Sequence, residues 1–145
     1  MASIATLKRI SAKDLADRIL AEQGRPEQTY AIVDVRDDDH LGGHIKGGIH
    51  AASAQLEAMM PTLLRRLGGK KTVVFHCMLS QQRGPSAALR YLRERQLQQA
   101  QEGKSEGEDG QEVLVLENGF EGWRQQYGSD ERLTEGYRKE LWENY

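Results

Sequence analysis

Three short apolar runs constrain the fold of this chain more than any other feature of its sequence. They span residues 30–35, 71–76 and 113–116, and they are rich in valine, isoleucine and leucine. Runs of this kind are typical of strands that are buried on both faces. Helical patterns lie between them, so the alternation predicts an α/β fold with a mostly parallel sheet and helices on both of its faces.

The segments before and between these runs carry helical signals. Ser11 and Asp14 have the form of a capping box, and the helix that they open ends at Gly24. An apolar stripe predicts a second helix, which we expect to begin at Pro61 after a short turn, because proline favours the first helical position. The stripe consists of Leu56, Met59, Met60, Leu63, Leu64 and Leu67. A third helix is predicted over residues 83–96.

The remaining segments are shorter or more polar. A brief strand is predicted around Ile49, and helical faces are predicted around Trp123 and Tyr137. Residues 98–111 are polar, acidic and glycine-containing, so we predict a mobile insertion loop there. No internal repeat divides the chain, which we interpret as a single domain over residues 1–145.

Composition argues against several classes of partner. The chain has 145 residues, a net charge of -2 and a pI of about 6.1, so it has no bulk electrostatic attraction to nucleic acid or to an anionic membrane. No apolar run approaches the ~20 residues that span a bilayer, and we expect no secretory signal. The single cysteine excludes an internal disulfide, and the four histidines lack metal-site spacing. We therefore expect a cytoplasmic protein, with the nucleus as a further location, and we expect it to bind no metal.

The only cysteine follows directly after the second apolar run. Residues 76–85 read HCMLSQQRGP, in which five residues separate Cys77 from Arg83 at the start of a predicted helix. Ligands of open α/β sheets bind beyond the carboxyl ends of the strands, so this position indicates a ligand-binding loop. The alternative is an unreactive buried thiol beside an unrelated surface arginine, and the strand before and the helix after favour the loop.

The spacing within this loop supports a specific chemistry. A tight strand-to-helix loop directs backbone N–H groups inward, and the helix N-terminus adds partial positive charge. Arg83 can bind two oxygens of a tetrahedral oxyanion, and the same field stabilises a Cys77 thiolate aligned for in-line attack. We predict Cys77 and Arg83 as the catalytic residues. The predicted oxyanion-binding residues are Met78, Leu79, Ser80, Gln81, Gln82 and Arg83.

The residues around the loop have structural and catalytic interpretations. We expect His76 to support the loop rather than to donate a proton, and His44 to be a packed structural residue. Ser80 either hydrogen-bonds the thiolate or bonds to local backbone. Asp34 and Arg36 are expected to form an ion pair that supports the end of the sheet.

Several motifs together resemble one superfamily. The H-C-x5-R pattern of residues 76–83 resembles the signature of cysteine-dependent phosphatases, in particular the cell-division-cycle dual-specificity phosphatases and eukaryotic arsenate reductases of the rhodanese-like superfamily. VDVR at residues 33–36 and GHIKGG at residues 43–48 resemble the rhodanese entry signature. LENGF at residues 116–120, with Trp123, resembles the closing motif of that superfamily.

The resemblance covers roughly residues 10–128. Within this group, the chain resembles in particular the small single-domain fungal phosphatase. It implies a rhodanese-like α/β fold with a mostly parallel five-stranded sheet. It also implies hydrolysis of phosphate monoesters, of the tyrosine or dual-specificity type, through a cysteinyl-phosphate intermediate and without a cofactor. The implied substrate is a phosphoprotein or a small phosphoester.

Two other activities fit a cysteine in such a loop, and a non-catalytic role is a further alternative. Arsenate reduction is the main alternative, because arsenate is nearly isosteric with phosphate. The chain has one cysteine, so a reductase would need glutathione as reductant or a glutaredoxin-like partner. The resemblance disfavours a thiosulfate-type sulfurtransferase, whose loop is one residue shorter. It also disfavours an idle rhodanese-like binding module, which typically lacks the cysteine.

The sequence does not identify a general acid, which a phosphatase uses to protonate the leaving oxygen. Asp37, Asp38, Asp39 and Glu117 are candidates by position alone. The short chain leaves few residues to form a rim around the site, which predicts a shallow, open site with little discrimination among substrates. The expected rim consists of residues 37–43, Met78, Leu79 and the turn after Leu116.

Overall fold

The computed structural model describes residues 3–104 and 110–143. The described residues form the strands β1 (Lys8–Ile10), β2 (Tyr30–Asp34), β3 (His44–Ile45), β4 (Ile49–His50), β5 (Thr72–His76), β6 (Glu112–Leu116) and β7 (Thr134–Glu135). They also form the helices α1 (Ala12–Ala21), α2 (Leu56–Leu67), α3 (Arg83–Gln101), α4 (Gly119–Tyr127) and α5 (Lys139–Trp142). Short 3-10 helices cover Ile4–Thr6 and Ser53–Gln55.

Five strands form one parallel sheet in the order β1-β6-β5-β2-β4. The predicted mostly parallel, five-stranded sheet is therefore confirmed, and its three central strands are the three apolar runs. The register places Asp34 at the end of β2 opposite His76 at the end of β5. Because all five strands run in the same direction, the residues that follow Asp34 and His76 emerge at the same edge of the sheet.

The sequence pattern does not predict two of the strand pairings. Strand β1 is a three-residue edge strand that pairs with β6, and only Ile10 of its residues is buried. Strands β3 and β7 form a separate antiparallel pair of two residues each. Segments of this length are too short to show a periodic pattern, so their strand conformation depends on tertiary contacts.

Helices cover both faces of the sheet, as predicted. Alternate residues of each central strand point to opposite faces, so Val74 and Phe75 of β5 belong to different hydrophobic clusters. One cluster packs α2 and α3 on the sheet and includes Leu63, Leu67, Phe75 and Tyr91. The other packs α1, α4 and α5 on the sheet and includes Leu15, Ile32, Phe120 and Trp123. Burying a large apolar side chain contributes roughly 1.5–3 kcal/mol, so these clusters are the main stabilising force.

Helix α2 begins earlier than predicted. The helix runs without interruption from Leu56 through Pro61, so the predicted start at Pro61 is wrong. Pro61 lies on the exposed side of the helix, where water can bond the Glu57 carbonyl that proline cannot reach with an N–H group. The buried part of the predicted apolar stripe consists of Leu56, Met60, Leu63 and Leu67. Packing of that stripe outweighs the single missing hydrogen bond.

Helix α3 is longer than predicted and shortens the polar loop. It continues through Gln101, so residues 98–101 are helical. At the other end, the Gln111 amide donates to the Leu67 carbonyl at the end of α2, at 2.7 Å, and to the Lys70 carbonyl in the turn after it, at 2.9 Å. The predicted loop over residues 98–111 is therefore wrong for residues 98–101, which belong to α3. The centre of that segment, residues 105–109, lies outside the described residues.

The N-terminus of α4 is attached to the loop that follows β5. The Phe120 N–H donates to the Cys77 carbonyl at 3.0 Å, and the Glu121 N–H donates to the Met78 carbonyl at 2.9 Å. This approach requires glycine at residue 119, which has φ +54°. A Cβ atom at Gly119 would lie 2.5 Å from the Met78 oxygen and 2.7 Å from the Cys77 oxygen. The glycine of the LENGF motif thus allows α4 to hold the cysteine loop.

We predict that Gly119→Ala lowers the free energy of unfolding by about 2–4 kcal/mol, because it adds a backbone clash to the strain of a positive φ. Gly24→Ala is the matched control: Gly24 also has a positive φ, +88°, but no heavy atom lies within 4 Å of its Cβ position. The control should cost only the backbone strain, about 1 kcal/mol. Urea unfolding of both variants measures the difference, and equal losses would contradict the close approach of α4 to the loop.

Candidate active site

Cys77 occupies the first position of the loop that joins β5 to α3. It is 3% exposed. Its Sγ atom accepts hydrogen bonds from the backbone N–H of Ser80 at 3.2 Å and from that of Gly84, in the first turn of α3, at 3.3 Å. Two backbone donors and a helix N-terminus therefore surround the sulfur. Backbone N–H groups and helix N-termini are the donors that bind anions in many protein loops.

The local conformation of the loop explains why these N–H groups point inward. Ser80 has φ +56°, in the left-handed region, which turns the chain sharply around the sulfur. The Arg9 side chain donates to the Ser80 carbonyl at 3.1 Å and holds it on the outer side of the turn. Gly84 allows α3 to pack closely on β5, because a Cβ there would lie 3.3 Å from the backbone of His76 and Cys77.

Arg83 is the first residue of α3, and its guanidinium is held by two carboxylates of the segment after β2. Nη1 donates to Asp39 Oδ1 at 2.8 Å, and Nη2 donates to Asp39 Oδ2 at 2.6 Å. A weaker contact joins Nη1 to Asp37 Oδ2 at 3.3 Å. The hydrogen bonds from Arg83 lower the pKa of Asp39 to about 2, and the same pairing raises the pKa of Arg83.

Asp37 is anchored independently of Arg83. It accepts hydrogen bonds from the Ser53 hydroxyl and from the Ala54 N–H, the latter at 3.0 Å. The Ser53 hydrogen bond is the largest of the effects that lower the pKa of Asp37. In addition, the Asp37 N–H donates to Asp39 Oδ1 at 2.9 Å. Asp37 therefore fixes the turn that presents the Asp39 carboxylate to Arg83.

The predicted ion pair between Asp34 and Arg36 is present and is buried. Arg36 has no solvent exposure, and its Nη2 donates to Asp34 Oδ2 at 2.8 Å and to the Gly43 carbonyl at 2.8 Å. Its guanidinium also lies 4.2 Å from the centre of the Phe120 ring. Burial alone would raise the pKa of Asp34, but the neighbouring positive charge and the hydrogen bonds from Arg36 outweigh it and lower that pKa.

His76 and Ser80 are both fully buried beside Cys77. His76 Nδ1 lies 3.2 Å from the Cys77 carbonyl, and burial lowers the pKa of the His76 imidazole. His76 therefore contacts the loop backbone, and the supporting role that we expected for it stays a prediction. Ser80 contributes its N–H to the sulfur, whereas its hydroxyl has no hydrogen-bond partner within the described residues.

The loop opens into a cavity of about 330 Å³. Its lining consists of Asp39, Cys77, Met78, Leu79, Gln81, Gln82 and Arg83. A smaller, apolar cavity of about 160 Å³ is lined by Asp39, Leu41, Met78, Leu141 and Trp142. Asp39 and Met78 line both, so the two cavities adjoin. Larger open grooves elsewhere, near Arg132 and near Arg18, contain no thiol.

The structure brings most of the predicted site residues together. The exceptions are Asp38 and Glu117, which are exposed and line neither cavity. His44, expected to be structural, lies outside the site and pairs with Glu135 across β3 and β7 at 3.5 Å. The sequence did not predict the contact between Arg83 and Asp39, which are 44 residues apart, or the contribution of α5 to the rim. The run of three acidic residues after Arg36 was the only available signal for that contact.

Two general features of the described residues bear on the type of site. They contain no cluster of His, Cys, Asp and Glu side chains that could hold a metal ion. None of their helices is long and apolar enough to cross a membrane. The candidate site thus consists of a thiol in a cradle of N–H groups, an arginine at the edge of that cradle, and the carboxylates that hold the arginine.

Comparison with known proteins gives relatives of two activities. The CDC25-like phosphatase YCH1 of Saccharomyces cerevisiae is 41% identical over 126 residues, which cover 79% of each chain. Arsenate reductase 2.2 of Oryza sativa subsp. japonica is 44% identical over 94 residues, which cover 64% of this chain and 68% of that protein. The chain is therefore similar in sequence both to a protein named as a phosphatase and to one named as a reductase.

Fold comparison agrees with the sequence relatives. The structure of Ygr203w, a yeast protein tyrosine phosphatase of the rhodanese family, has a TM-score of 0.73 and 35% sequence identity, and the match covers 97% of this chain and 99% of that chain. The family model described as a rhodanese-like domain matches residues 11–126. With the five-stranded parallel sheet and the cysteine loop, these matches establish that the chain belongs to the rhodanese-like family.

Proposed function

We propose that this protein is a cysteine-dependent phosphatase that hydrolyses phosphate monoesters of the tyrosine or dual-specificity type. The observation that carries the proposal is the pair of backbone N–H groups, of Ser80 and Gly84, that converge on the Cys77 sulfur at the bottom of a cavity that Arg83 also lines. A thiolate held in this way is a ready nucleophile. The loop around it offers hydrogen-bond donors of the type that stabilise the equatorial oxygens of a phosphoryl group in the transition state of its transfer.

The reaction follows from this geometry in two steps. In the first, the Cys77 thiolate attacks phosphorus in line, an S–P bond forms, and the bond from phosphorus to the ester oxygen breaks as that oxygen takes a proton. In the second, water attacks the cysteinyl phosphate, the S–P bond breaks, and the thiolate and inorganic phosphate are released. The buried Ser80 hydroxyl is available to hydrogen-bond the departing thiolate, which would accelerate the second step.

Arsenate reduction is the second candidate, and the relationship to arsenate reductase 2.2 favours it. Arsenate has the shape and charge of phosphate, so the same cradle would bind it. Reduction to arsenite consumes two electrons, and Cys77 is the only cysteine of the chain. The electrons would have to come from an external thiol, such as glutathione, or from a glutaredoxin-like partner.

The two activities are best compared on the same purified protein. We expect hydrolysis of 4-nitrophenyl phosphate without any added thiol, and we expect glutathione-dependent arsenate reduction to be slower in kcat/KM. Inorganic phosphate should inhibit both reactions competitively, because one cradle serves both. Arsenate reduction without any phosphatase activity would contradict the proposed function.

The nucleophile is tested by Cys77→Ser. Serine keeps the size of the side chain but is not ionised, so turnover should fall by at least about 10⁴-fold in kcat, whereas the melting temperature and phosphate binding should change little. Isothermal titration with inorganic phosphate measures the retained binding. Substantial hydrolysis by the pure variant would show that another group attacks phosphorus.

Arg83→Lys tests whether the planar Arg83 guanidinium binds two oxygens of the phosphoryl group. A lysine keeps the positive charge but offers one point of contact, so we expect kcat/KM to fall by roughly 10²–10³-fold, or about 2.7–4 kcal/mol of transition-state stabilisation. Arg90→Lys is the matched control, because Arg90 lies on the same helix and faces solvent. Wild-type kinetics in the Arg83 variant would mean that this side chain takes no part in oxyanion binding.

A further inference from the structure

Asp39 is the acidic residue that lies between the two cavities of the site. It lines the cavity over Cys77 and also the apolar cavity of Leu41, Leu141 and Trp142. The other acidic candidates from the sequence, Asp37, Asp38 and Glu117, line neither of these cavities. Position in the structure therefore separates Asp39 from candidates that the sequence could not distinguish.

The arrangement of the two cavities matches the parts of an aryl phosphate. With the phosphoryl group in the cradle over Cys77, an aromatic ring would extend into the adjoining apolar cavity, where Leu41 and Leu141 are 64% and 47% exposed. The oxygen that joins the ring to phosphorus then lies at the boundary of the two cavities. That boundary is formed by Asp39 and Met78, and of the two only Asp39 can donate a proton.

The geometry points to Asp39 as the general acid that protonates the leaving oxygen of aryl phosphate substrates. Asp39 acts once the phosphate of the bound substrate has replaced its carboxylate as the hydrogen-bond partner of Arg83. This inference rests on the proposed phosphatase function and deepens it in two respects. It names the proton donor, and it names phosphate monoesters with an aromatic leaving group as the preferred substrate class.

The contact with Arg83 keeps Asp39 inactive before substrate binds. Both terminal nitrogens of the guanidinium are bonded to the Asp39 carboxylate, at 2.8 and 2.6 Å, and this pairing lowers the pKa of Asp39 to about 2. A carboxyl group in that state cannot donate a proton at neutral pH. Asp39 needs a change in its surroundings before it can act as an acid.

Substrate supplies that change. A phosphate group presents two oxygens that match the guanidinium fork, so it competes with the Asp39 carboxylate for the same two donors. When the Arg83 guanidinium binds the phosphate instead, the Asp39 carboxylate no longer has a positive charge beside it and has the negatively charged phosphate nearby. Both effects raise the pKa of the Asp39 carboxyl group. Asp37 stays bound to Ser53 and Ala54 and keeps the turn in place during this exchange.

The proton balance of the two steps is then complete. A proton taken up from water or from the phosphate monoanion moves from Asp39 to the leaving oxygen, as the S–P bond forms and phenol departs. In the second step, the Asp39 carboxylate takes a proton from the water that attacks the cysteinyl phosphate, and Cys77 leaves as a thiolate. The sum is an ester and water converted to a phenol and phosphate.

The test is the response of Asp39→Asn to the leaving group. Asparagine keeps the shape but has no acidic proton, so it should matter only where the leaving oxygen needs one. We expect kcat for phenyl phosphate, whose leaving group has a pKa of about 10 as tyrosine does, to fall by roughly 10²–10³-fold. For 4-nitrophenyl phosphate, whose phenolate leaves without help, kcat should change by less than about threefold, since no proton transfer is needed.

Two neighbouring substitutions serve as controls. Asp38→Asn changes the same charge at an exposed residue that lines neither cavity, and should leave both substrates unaffected. Asp37→Asn weakens the turn that positions Arg83 and should reduce turnover of both substrates by the same factor. The inhibition constant of inorganic phosphate tests whether phosphate and the Asp39 carboxylate compete for Arg83. This constant should be lower in Asp39→Asn than in the wild-type protein, because the competing carboxylate is absent.

Equal effects of Asp39→Asn on both substrates, or no effect on either, would overturn the assignment of Asp39 as the acid. A higher inhibition constant for phosphate in that variant would overturn the exchange of Arg83. These failures differ from failure of the proposed function, which is absence of 4-nitrophenyl phosphate hydrolysis by the wild-type protein.

Discussion

A guanidinium group without solvent exposure must find all of its partners inside the protein, and Arg36 finds them at the carboxyl edge of the sheet. Its charge is met by Asp34 at the end of β2, a further N–H group is bound by the Gly43 carbonyl, and its flat face lies on the Phe120 ring. Removing one member of a buried pair of this kind typically costs about 3–5 kcal/mol, because the other charge is left unpaired. These contacts fix the positions of β2, the segment after it, and α4 relative to one another.

The site is built on that arrangement. Helix α4, placed by Phe120, bonds the carbonyls of Cys77 and Met78, which leaves the N–H groups of the loop free to face the sulfur. The segment after β2, placed by the contact of Arg36 with Gly43, carries the two carboxylates that hold Arg83. The same buried arginine therefore positions the Cys77 loop from one side and the carboxylates that hold Arg83 from the other.

The sequence predicted those parts of the fold that are encoded locally. The three central strands were recognisable because a strand buried on both faces is apolar throughout, and the cysteine loop was recognisable because strand, Cys77, Arg83 and helix follow one another directly. Edge strand β1 and the β3–β7 pair were missed because two or three residues carry no periodic signal. The end of α3 was missed because its last turn is polar, and Pro61 was misinterpreted because its exposed position was not visible in the sequence.

The same distinction applies within the site. Cys77 and Arg83 were predicted from a spacing of a few residues, and the Asp34–Arg36 pair from a spacing of two. The selection of Asp39 from a run of three acidic residues depends on side-chain direction and on the cavity formed with α5, more than 100 residues away. Neither is encoded in the local pattern. The role that we propose for Asp39 therefore could not have been inferred from the sequence alone.

The central claim is that Cys77 forms a covalent bond to phosphorus in this cradle. The most direct measurement is mass spectrometry of the peptide that contains Cys77, after the protein has been mixed with 4-nitrophenyl phosphate and quenched within one turnover. The account predicts that this peptide gains the mass of one phosphoryl group, and that the gain is absent when inorganic phosphate fills the cradle beforehand. Turnover at the expected rate with an unmodified Cys77 peptide would contradict it, because water would then attack the ester directly.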